Sequence, residues 1–284
     1  MGGLSRTALL MGVLTGLLML VGWIVGYVTG IGIEYSLTAA LAMAILLNLF
    51  MYFFADRWVL AMYRAKVVSP AEEPRLHKIV ERLSAIAKIP KPRVAVVPID
   101  TPNAFATGRS PSHSVVAVTK GALELLNDEE LEGVLGHELA HIKNRDMLIN
   151  TLAAMIGAAI TYALYFSYFA PRRSERDSGA GIIALLAFLL VPFAAMLVRL
   201  AISRGREYEA DRGGANISGK PLALASALKK LESAAKARPL ASGNPSTSHL
   251  FIVNPFRGVK LLSLFSTHPP PEERIRRLEM MAKS

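Results

Sequence analysis

Two long stretches near the start of the chain contain no charged side chain, and they constrain the fold more than any other feature. They cover residues 8–29 and 36–54. Each is about 20 residues long, which lets a helix cross a hydrocarbon core of roughly 30 Å. The first also exceeds the roughly 7–15 apolar residues of a signal peptide, so we expect it to be retained. The sequence therefore predicts a membrane-spanning helical hairpin at this end of the chain.

Two further apolar segments lie at about 147–170 and 180–198. Together with a hydrophobic content of 52%, they make the chain too apolar for a typical soluble protein. We therefore predict four membrane spans. The connection around Arg172 to Asp177 is short and charged, so the second pair could instead form a re-entrant hairpin.

The distribution of Lys and Arg predicts the orientation. With a cytoplasmic N-terminus, the outer side receives few cations and the inner side many; the outer set is Arg172, Arg173 and Arg176, and the inner set is Arg6, Arg57, Arg64, Lys66, Lys143, Arg145, Arg199, Arg204 and Arg206. The positive-inside rule then favours both termini in the cytoplasm. We expect the protein to lie in the plasma membrane, with its active site on the cytoplasmic side. The formal charge of +10 is explained by attraction to the lipid bilayer, so we expect no nucleic-acid partner.

The segment His137-Glu138-Leu139-Ala140-His141 predicts a metal site. Two histidines four residues apart lie on the same face of a helix and can bind one ion, which this spacing suggests is zinc. Glu138 is near enough to reach a metal-bound water, so it is a candidate general base.

The surrounding sequence predicts that this segment is helical. Asn127 is a candidate N-cap, and Glu130 follows it at the spacing of a capping box. Four residues then form an apolar flank: Leu131, Leu135, Leu139 and Ile142. The two histidines are left on an adjacent face.

A catalytic zinc needs at least one more protein ligand and an open position for water. The chain has no cysteine, so a carboxylate is the expected third ligand. Glu207 and Asp211 are one turn apart, so one could bind the metal while the other supports a histidine. Glu209 faces another side of the same helix, and spacing alone leaves it open as a competitor.

The chain resembles the HtpX-type membrane zinc metalloproteases, gluzincins related to the type I CAAX prenyl proteases. The resemblance rests on four motifs: PNAFATG at 102–108, HELAHIKNRD at 137–146, SRGREYEAD at 203–211 and THPPPEERI at 267–275. It implies one zinc per chain, with Glu207 as the third ligand beside His137 and His141. Asp211 would then lie behind the ligands.

The resemblance also implies a substrate-binding edge and two further site residues. Residues 93–98 and 114–118 are rich in β-branched residues and short enough to be strands. Between them, Asn103, Ala104 and Phe105 resemble the family's peptide-binding edge, although from the residues alone they are equally a turn followed by a strand. His268 is a candidate for stabilising the oxyanion, with a helix-capping or surface role as the alternative, and Arg274 for holding a carboxylate such as Asp211.

The resulting prediction is a mainly α, multi-pass membrane protein with four transmembrane helices and a cytosolic gluzincin-like zinc protease domain that contains a small β-sheet. Its parts are a transmembrane hairpin (1–56), a first catalytic segment (57–146), a second transmembrane or re-entrant hairpin (147–200) and a second catalytic segment (201–284). Residues 236–258 read as a long loop, of the kind that is often a lid or a disordered segment. His77, His113 and His249 read as surface or packing residues.

The predicted reaction is zinc-dependent hydrolysis of a peptide bond at the cytosolic membrane face. Substrates would be membrane proteins or unfolded polypeptides, and the resemblance implies quality control linked to heat stress. Two alternatives are a CAAX-type processing peptidase and a non-catalytic membrane scaffold with structural zinc. The second is weakened because structural zinc sites are closed and usually contain cysteine. The oligomeric state is left open, since small-xxx-small glycine pairs such as Gly22 and Gly26 pack helices within or between subunits.

Overall fold

The computed structural model describes residues 3–156, 204–240, 245–256 and 269–283. Three elements of the sequence prediction lie outside these ranges: most of the segment at 147–170, the whole segment at 180–198, and His268. The four-part division of the chain stays a prediction.

Two long apolar helices open the chain. Helix α1 is Gly3–Thr29 and helix α2 is Ile33–Met62. Both are long and apolar enough to cross a membrane, and most of their surface is exposed. Helix α2 extends beyond the predicted 36–54 at both ends. At its C-terminal end, the residues after Phe54 are amphipathic and continue the helix toward the sheet. The Gly22 and Gly26 pair packs α1 against α2 of the same chain, because a Cβ at Gly22 would lie 2.5 Å from that of Ala40.

A four-stranded mixed sheet follows. Its strands are β1 (Lys66–Val67), β2 (Arg93–Val97), β3 (Ala104–Ser110) and β4 (His113–Thr119), in the order β1-β2-β4-β3. Strand β2 runs parallel to β4, and β3 runs antiparallel to it. The two predicted strands are confirmed to within a residue. Strand β3 begins inside the PNAFATG motif and forms an outer edge of the described sheet.

Helices cover the sheet and form the rest of the described domain. They are α3 (Pro74–Ala87), α4 (Lys120–Leu125), α5 (Asp128–Asn144), α6 (Asp146–Ile156), α7 (Arg204–Ser218), α8 (Pro221–Ala237) and α9 (Pro271–Met281). A 3₁₀ helix, Pro245–Leu250, precedes α9, and its residues 247–250 are buried. The loop prediction for 236–258 is therefore wrong in part, because α8 continues to Ala237 and the 3₁₀ helix is built from residues that read as loop formers.

Helix α5 is the centre of the domain and contacts α3, α7, α8 and the sheet. It meets α7 at unusually short range, where Gly136 faces Gly214. A Cβ at Gly214 would lie 2.5 Å from the backbone nitrogen of His137, so any larger residue would separate the two helices. This close approach brings the EYEAD helix against the HELAH helix.

Helix α6 connects the domain to the apolar hairpin. It begins two residues after α5 ends and coincides with the start of the predicted third apolar segment. Its residues Leu148, Ile149 and Leu152 are buried in one cluster with Leu10 and Met51 of the hairpin. The domain core and the candidate membrane helices are thus packed together through α6.

Candidate active site

Local sequence fixes the position of α5. Asn127 accepts a hydrogen bond from the backbone N–H of Glu130 at 2.9 Å, and the Glu130 carboxylate accepts one from the backbone N–H of Asn127 at 3.1 Å. This is the expected capping box. The apolar flank is fully buried, at Leu131, Leu135, Leu139 and Ile142. The rotation of the helix is therefore set by its core contacts, which leave the two motif histidines facing α7.

Three donor side chains converge between α5 and α7. The Nε2 atoms of His137 and His141 lie 3.2 Å apart. Oxygens of the Glu207 carboxylate lie 3.8 Å from Nε2 of His137 and 3.6 Å from Nε2 of His141. Two ligands bound tetrahedrally at about 2.0–2.1 Å from zinc are separated by roughly 3.4 Å. The separations in this cluster therefore fit one metal ion.

Two acidic residues face the opposite ring nitrogens. Nδ1 of His137 lies 3.0 Å from Asp211 Oδ1, and Nδ1 of His141 lies 3.4 Å from Asp146 Oδ2. A carboxylate beside Nδ1 favours the tautomer that carries its proton on Nδ1, so the Nε2 lone pair of each neutral ring is directed at the centre of the cluster. Arg206 Nη1 in turn lies 3.2 Å from Asp146 Oδ1. Converging lone pairs of this kind are the donor set of a cation site.

The electrostatics of the cluster favour a positive charge. Burial lowers the pKa of His137 to about 4, so its ring is neutral. Burial alone would also lower the pKa of His141, but the hydrogen bond to Asp146 and the Glu207 carboxylate raise it to about 9. An environment that retains a proton this strongly also favours a metal cation at the same place.

Glu207 and Asp211 project from the same face of α7, as their spacing predicts. Arg274 of α9 binds Asp211 through two N–H groups, at 2.8 and 2.7 Å, and its Nη1 lies 3.8 Å from Glu207. Burial alone would raise the pKa of Asp211, but Arg274 and His137 lower it to about 2. Glu209 is exposed on the other side of the helix. The competition that spacing left open is thus resolved by helix packing in favour of Glu207.

Glu138 is buried beside the cluster and is 2% exposed. Its carboxylate accepts a hydrogen bond from the backbone N–H of Ala106 on β3. Burial raises its pKa to about 7, and the Glu207 carboxylate acts in the same direction. A group with a pKa near neutrality can both accept and release a proton, which suits a general base.

The segment expected to bind substrate is buried at the start of β3. Ala104 accepts a hydrogen bond from the backbone N–H of Ile252 at 3.2 Å. The Asn103 side chain donates to the carbonyl of Val253 at 2.7 Å and accepts from its N–H at 3.4 Å. Phe105 turns to the opposite face of the strand and packs against Phe251. All three residues thus contact the same later part of the chain.

Sequence reasoning missed three residues of this site. Local patterns predict no part in the metal site for Asp146 and Arg206, although both fall inside the HELAHIKNRD and SRGREYEAD motifs. The sequence predicts a surface or packing residue at His249, whereas the structure buries it beside the cluster and pairs its Nε2 with the Asn150 carbonyl at 3.0 Å. Its position arises from a contact across the fold, so neither its spacing nor its neighbours could indicate it.

A buried His-His-Glu cluster between an HExxH helix and a second helix, packed beside a mixed sheet and joined to two apolar helices, defines a membrane metalloprotease. Residues 70–282 match the model of peptidase family M48, and the chain belongs to that family. The HtpX resemblance is confirmed: the chain is 54% identical to the Protease HtpX homolog of Pyrococcus furiosus, over 98% of this chain and 95% of that protein. It is 50% identical to the Protease HtpX homolog of Persephonella marina, over 98% and 97%.

A solved structure shares the fold. The crystal structure of S. mikatae Ste24p superposes with a TM-score of 0.52 at 17% identity, and the match covers 93% of this chain. The chain spans 62% of the length of that protein. At this identity the likeness concerns the fold.

Proposed function

We propose that the chain is a zinc-dependent endopeptidase of the EC 3.4.24 class. The observation that carries this proposal is the convergence of His137, His141 and Glu207, whose ligand atoms lie within 4.8 Å of one another beside Glu138. These three side chains would bind zinc, and Asp211, Asp146 and Arg274 would orient them. A zinc ion bound there supplies Lewis acidity for the scissile carbonyl and for the attacking water.

The chain's own residues carry the proton transfers. Glu138 accepts a proton from the attacking water at its carboxylate and delivers it to the leaving amine. The N–H of Ala106 orients this carboxylate. Asn103, Ala104 and Phe105 would bind the substrate as an added strand, through backbone hydrogen bonds that demand little of its sequence. His268 would stabilise the oxyanion, as expected from the sequence, and it lies outside the described residues.

We further propose that the site faces the cytosol and acts on membrane-protein segments or unfolded polypeptides in quality control. The support is the excess of Lys and Arg on one side of the candidate spans and the packing of α6 between the hairpin and the domain. In this topology the protein has four spans, and both termini are cytoplasmic. Processing of CAAX termini gains no support from a fold likeness at low identity.

Glu138→Gln tests the catalytic proposal against a scaffold with structural zinc. In the full-length protein in lipid nanodiscs, we expect the variant to retain one zinc per chain and to lose casein cleavage by at least about 100-fold, since a general base contributes that much. Glu209→Gln is the matched control, because Glu209 is exposed on the same helix as Glu207. A zinc-loaded Glu138→Gln protein with full proteolysis would refute the mechanism.

The orientation can be measured separately because the chain contains no cysteine. Ser112 is exposed at the turn between β3 and β4, and Tyr35 is exposed in the first turn of α2, beside the connection from α1. In intact cells, a membrane-impermeant maleimide should label Tyr35→Cys at once and Ser112→Cys only after lysis. The reverse pattern would place the site outside the cell.

A further inference from the structure

One segment of the chain occupies the edge where a substrate strand would bind. We call residues 245–256 the cap segment. Its Ile252 donates a backbone hydrogen bond to the carbonyl of Ala104, and its Val253 exchanges two hydrogen bonds with the side chain of Asn103. All three use backbone groups of the cap segment, as an added peptide strand does at a sheet edge, and the Ile252 to Ala104 bond joins backbone to backbone.

The cap segment is anchored at several points. The Tyr63 hydroxyl hydrogen-bonds the hydroxyl of Thr247, and both groups are buried. The ring of Phe251 packs edge-on between Tyr63 and Phe105, with centroid distances of 5.0 and 5.4 Å. At the far side, Arg274 donates to the carbonyl of Ile252 at 2.7 Å. The segment is therefore attached to the end of α2, to β3 and to α9.

The same segment covers the metal-type cluster, by which we mean His137, His141 and Glu207. Between the cap residues Leu250 to Ile252 and the side chains of His137, Glu138 and Glu207 there remains a cavity of about 10 Å³. A space of that size holds at most about one water. A peptide bond cannot reach Glu138 through it, so a substrate needs the place that the cap segment fills.

We propose that the cap segment is a built-in substrate mimic: it binds the peptide-binding edge in place of a substrate, and hydrolysis requires its displacement, an inference that rests on the proposed peptidase function. The displacing peptide takes over the hydrogen bonds of Asn103 and Ala104. It is an extended chain with a bulky apolar side chain that replaces Phe251 between Tyr63 and Phe105. Because the peptide replaces one strand by another, few backbone groups lose their hydrogen-bond partners during the exchange.

A thiol reporter measures the displacement without any catalysis. Thr247→Cys, in a Glu138→Gln background loaded with zinc, places the chain's single thiol at a fully buried position of the cap. A synthetic peptide with a central phenylalanine should raise the rate of maleimide labelling at least about 3-fold and saturably. Ser112→Cys in the same background is the control and should label at a rate independent of the peptide. A labelling rate at position 247 that the peptide leaves unchanged or slows would overturn the inference. A cap segment that stays in place as part of the site would be shielded by a bound peptide and not exposed by it.

Proteolysis supplies the second measurement. Tyr63→Phe and Thr247→Val each remove one side of the anchoring hydrogen bond and should raise kcat/KM on casein about 2- to 10-fold, with the double variant equal to either single one. A protein with both Tyr63→Cys and Thr247→Cys can be linked by a reducible bismaleimide, which ties the cap segment to the end of α2. The linked protein should lose activity and regain it when the linker is reduced. A joined protein that remains fully active would contradict the inference.

The two proposals fail in different ways. If zinc-loaded wild-type protein does not cleave casein, the peptidase function fails, while peptide-dependent labelling at position 247 still detects displacement of the cap. If the wild-type protein cleaves and Glu138→Gln does not, but labelling and joining have no effect, the cap inference alone is wrong.

Discussion

Arg274 and Asp211 form a buried, two-pronged ion pair at 2.7 and 2.8 Å, and this pair lies directly behind the metal-type cluster. Asp211 also faces His137, with its Oδ1 atom 3.0 Å from Nδ1 of the ring. Burial disfavours the charge of Arg274, but Asp211 and Glu207 outweigh that effect and raise its pKa. The last helix of the chain thus determines the orientation of a histidine on the central helix.

Arg274→Met should destabilise both the fold and the metal site. Removing one partner of a buried ion pair leaves the other uncompensated, which costs about 3–5 kcal/mol. Zinc affinity should fall about 10- to 100-fold, because His137 loses its oriented carboxylate. Chemical denaturation and competition with a zinc chelator measure the two effects. Arg276→Met on the exposed face of α9 is the matched control, and an Arg274→Met protein as stable as this control would contradict the assignment.

Asp146→Asn should weaken zinc binding and also lower the melting temperature, because it removes a charged partner of the buried Arg206. The amide keeps the size of the side chain but no longer accepts the His141 proton as a charged group, so an affinity loss of about 10- to 100-fold is expected. Chelator competition and thermal melting are the measurements. Asp128→Asn, an exposed carboxylate at the start of α5, should leave both unchanged. Equal affinities in the two variants would show that Asp146 does not act on His141.

Removing the metal should make stability depend on pH between about 7 and 9. The pKa of His141 is raised to about 9 by Asp146 and Glu207, against burial, from its ordinary value of 6.5. A group with a raised folded-state pKa stabilises fully below its unfolded pKa, and this contribution is lost as the pH rises through the folded value. The melting temperature of chelator-treated protein should therefore fall across this window. The slope should disappear in His141→Gln; if it persists there, another group is responsible.

Gly214→Ala should separate α5 from α7. The added Cβ would lie 2.5 Å from the backbone nitrogen of His137, and neither backbone can move without moving the ligands. We expect a loss of about 1–3 kcal/mol in stability and a drop in zinc affinity. Gly12→Ala in α1, where no described atom lies within 4 Å, is the control and should be neutral or slightly stabilising. A Gly214→Ala protein that binds zinc normally would mean that the helices adjust more easily than their packing indicates.

The sequence determined the features that depend on neighbouring residues. A capping box and an apolar flank set the start and rotation of α5, so the pair His137 and His141 could be located from local patterns alone. Charge-free stretches likewise specified the two helices of the hairpin, because helix length and composition suffice for that inference. The placement of Glu207 and Asp211 on one face of α7 follows likewise from the periodicity of a helix.

Tertiary structure decided which of these faces meet and what covers them. The preference for Glu207 over Glu209 depends on the contact between Gly136 and Gly214, and the role of Asp146 depends on the turn that carries it back to His141. The cap segment binds Asn103 from about 150 positions away in the chain, and no local pattern encodes such a contact. Periodicity acts within a helix or strand, whereas the peptide-binding edge and its occupant are produced by packing between elements distant in sequence.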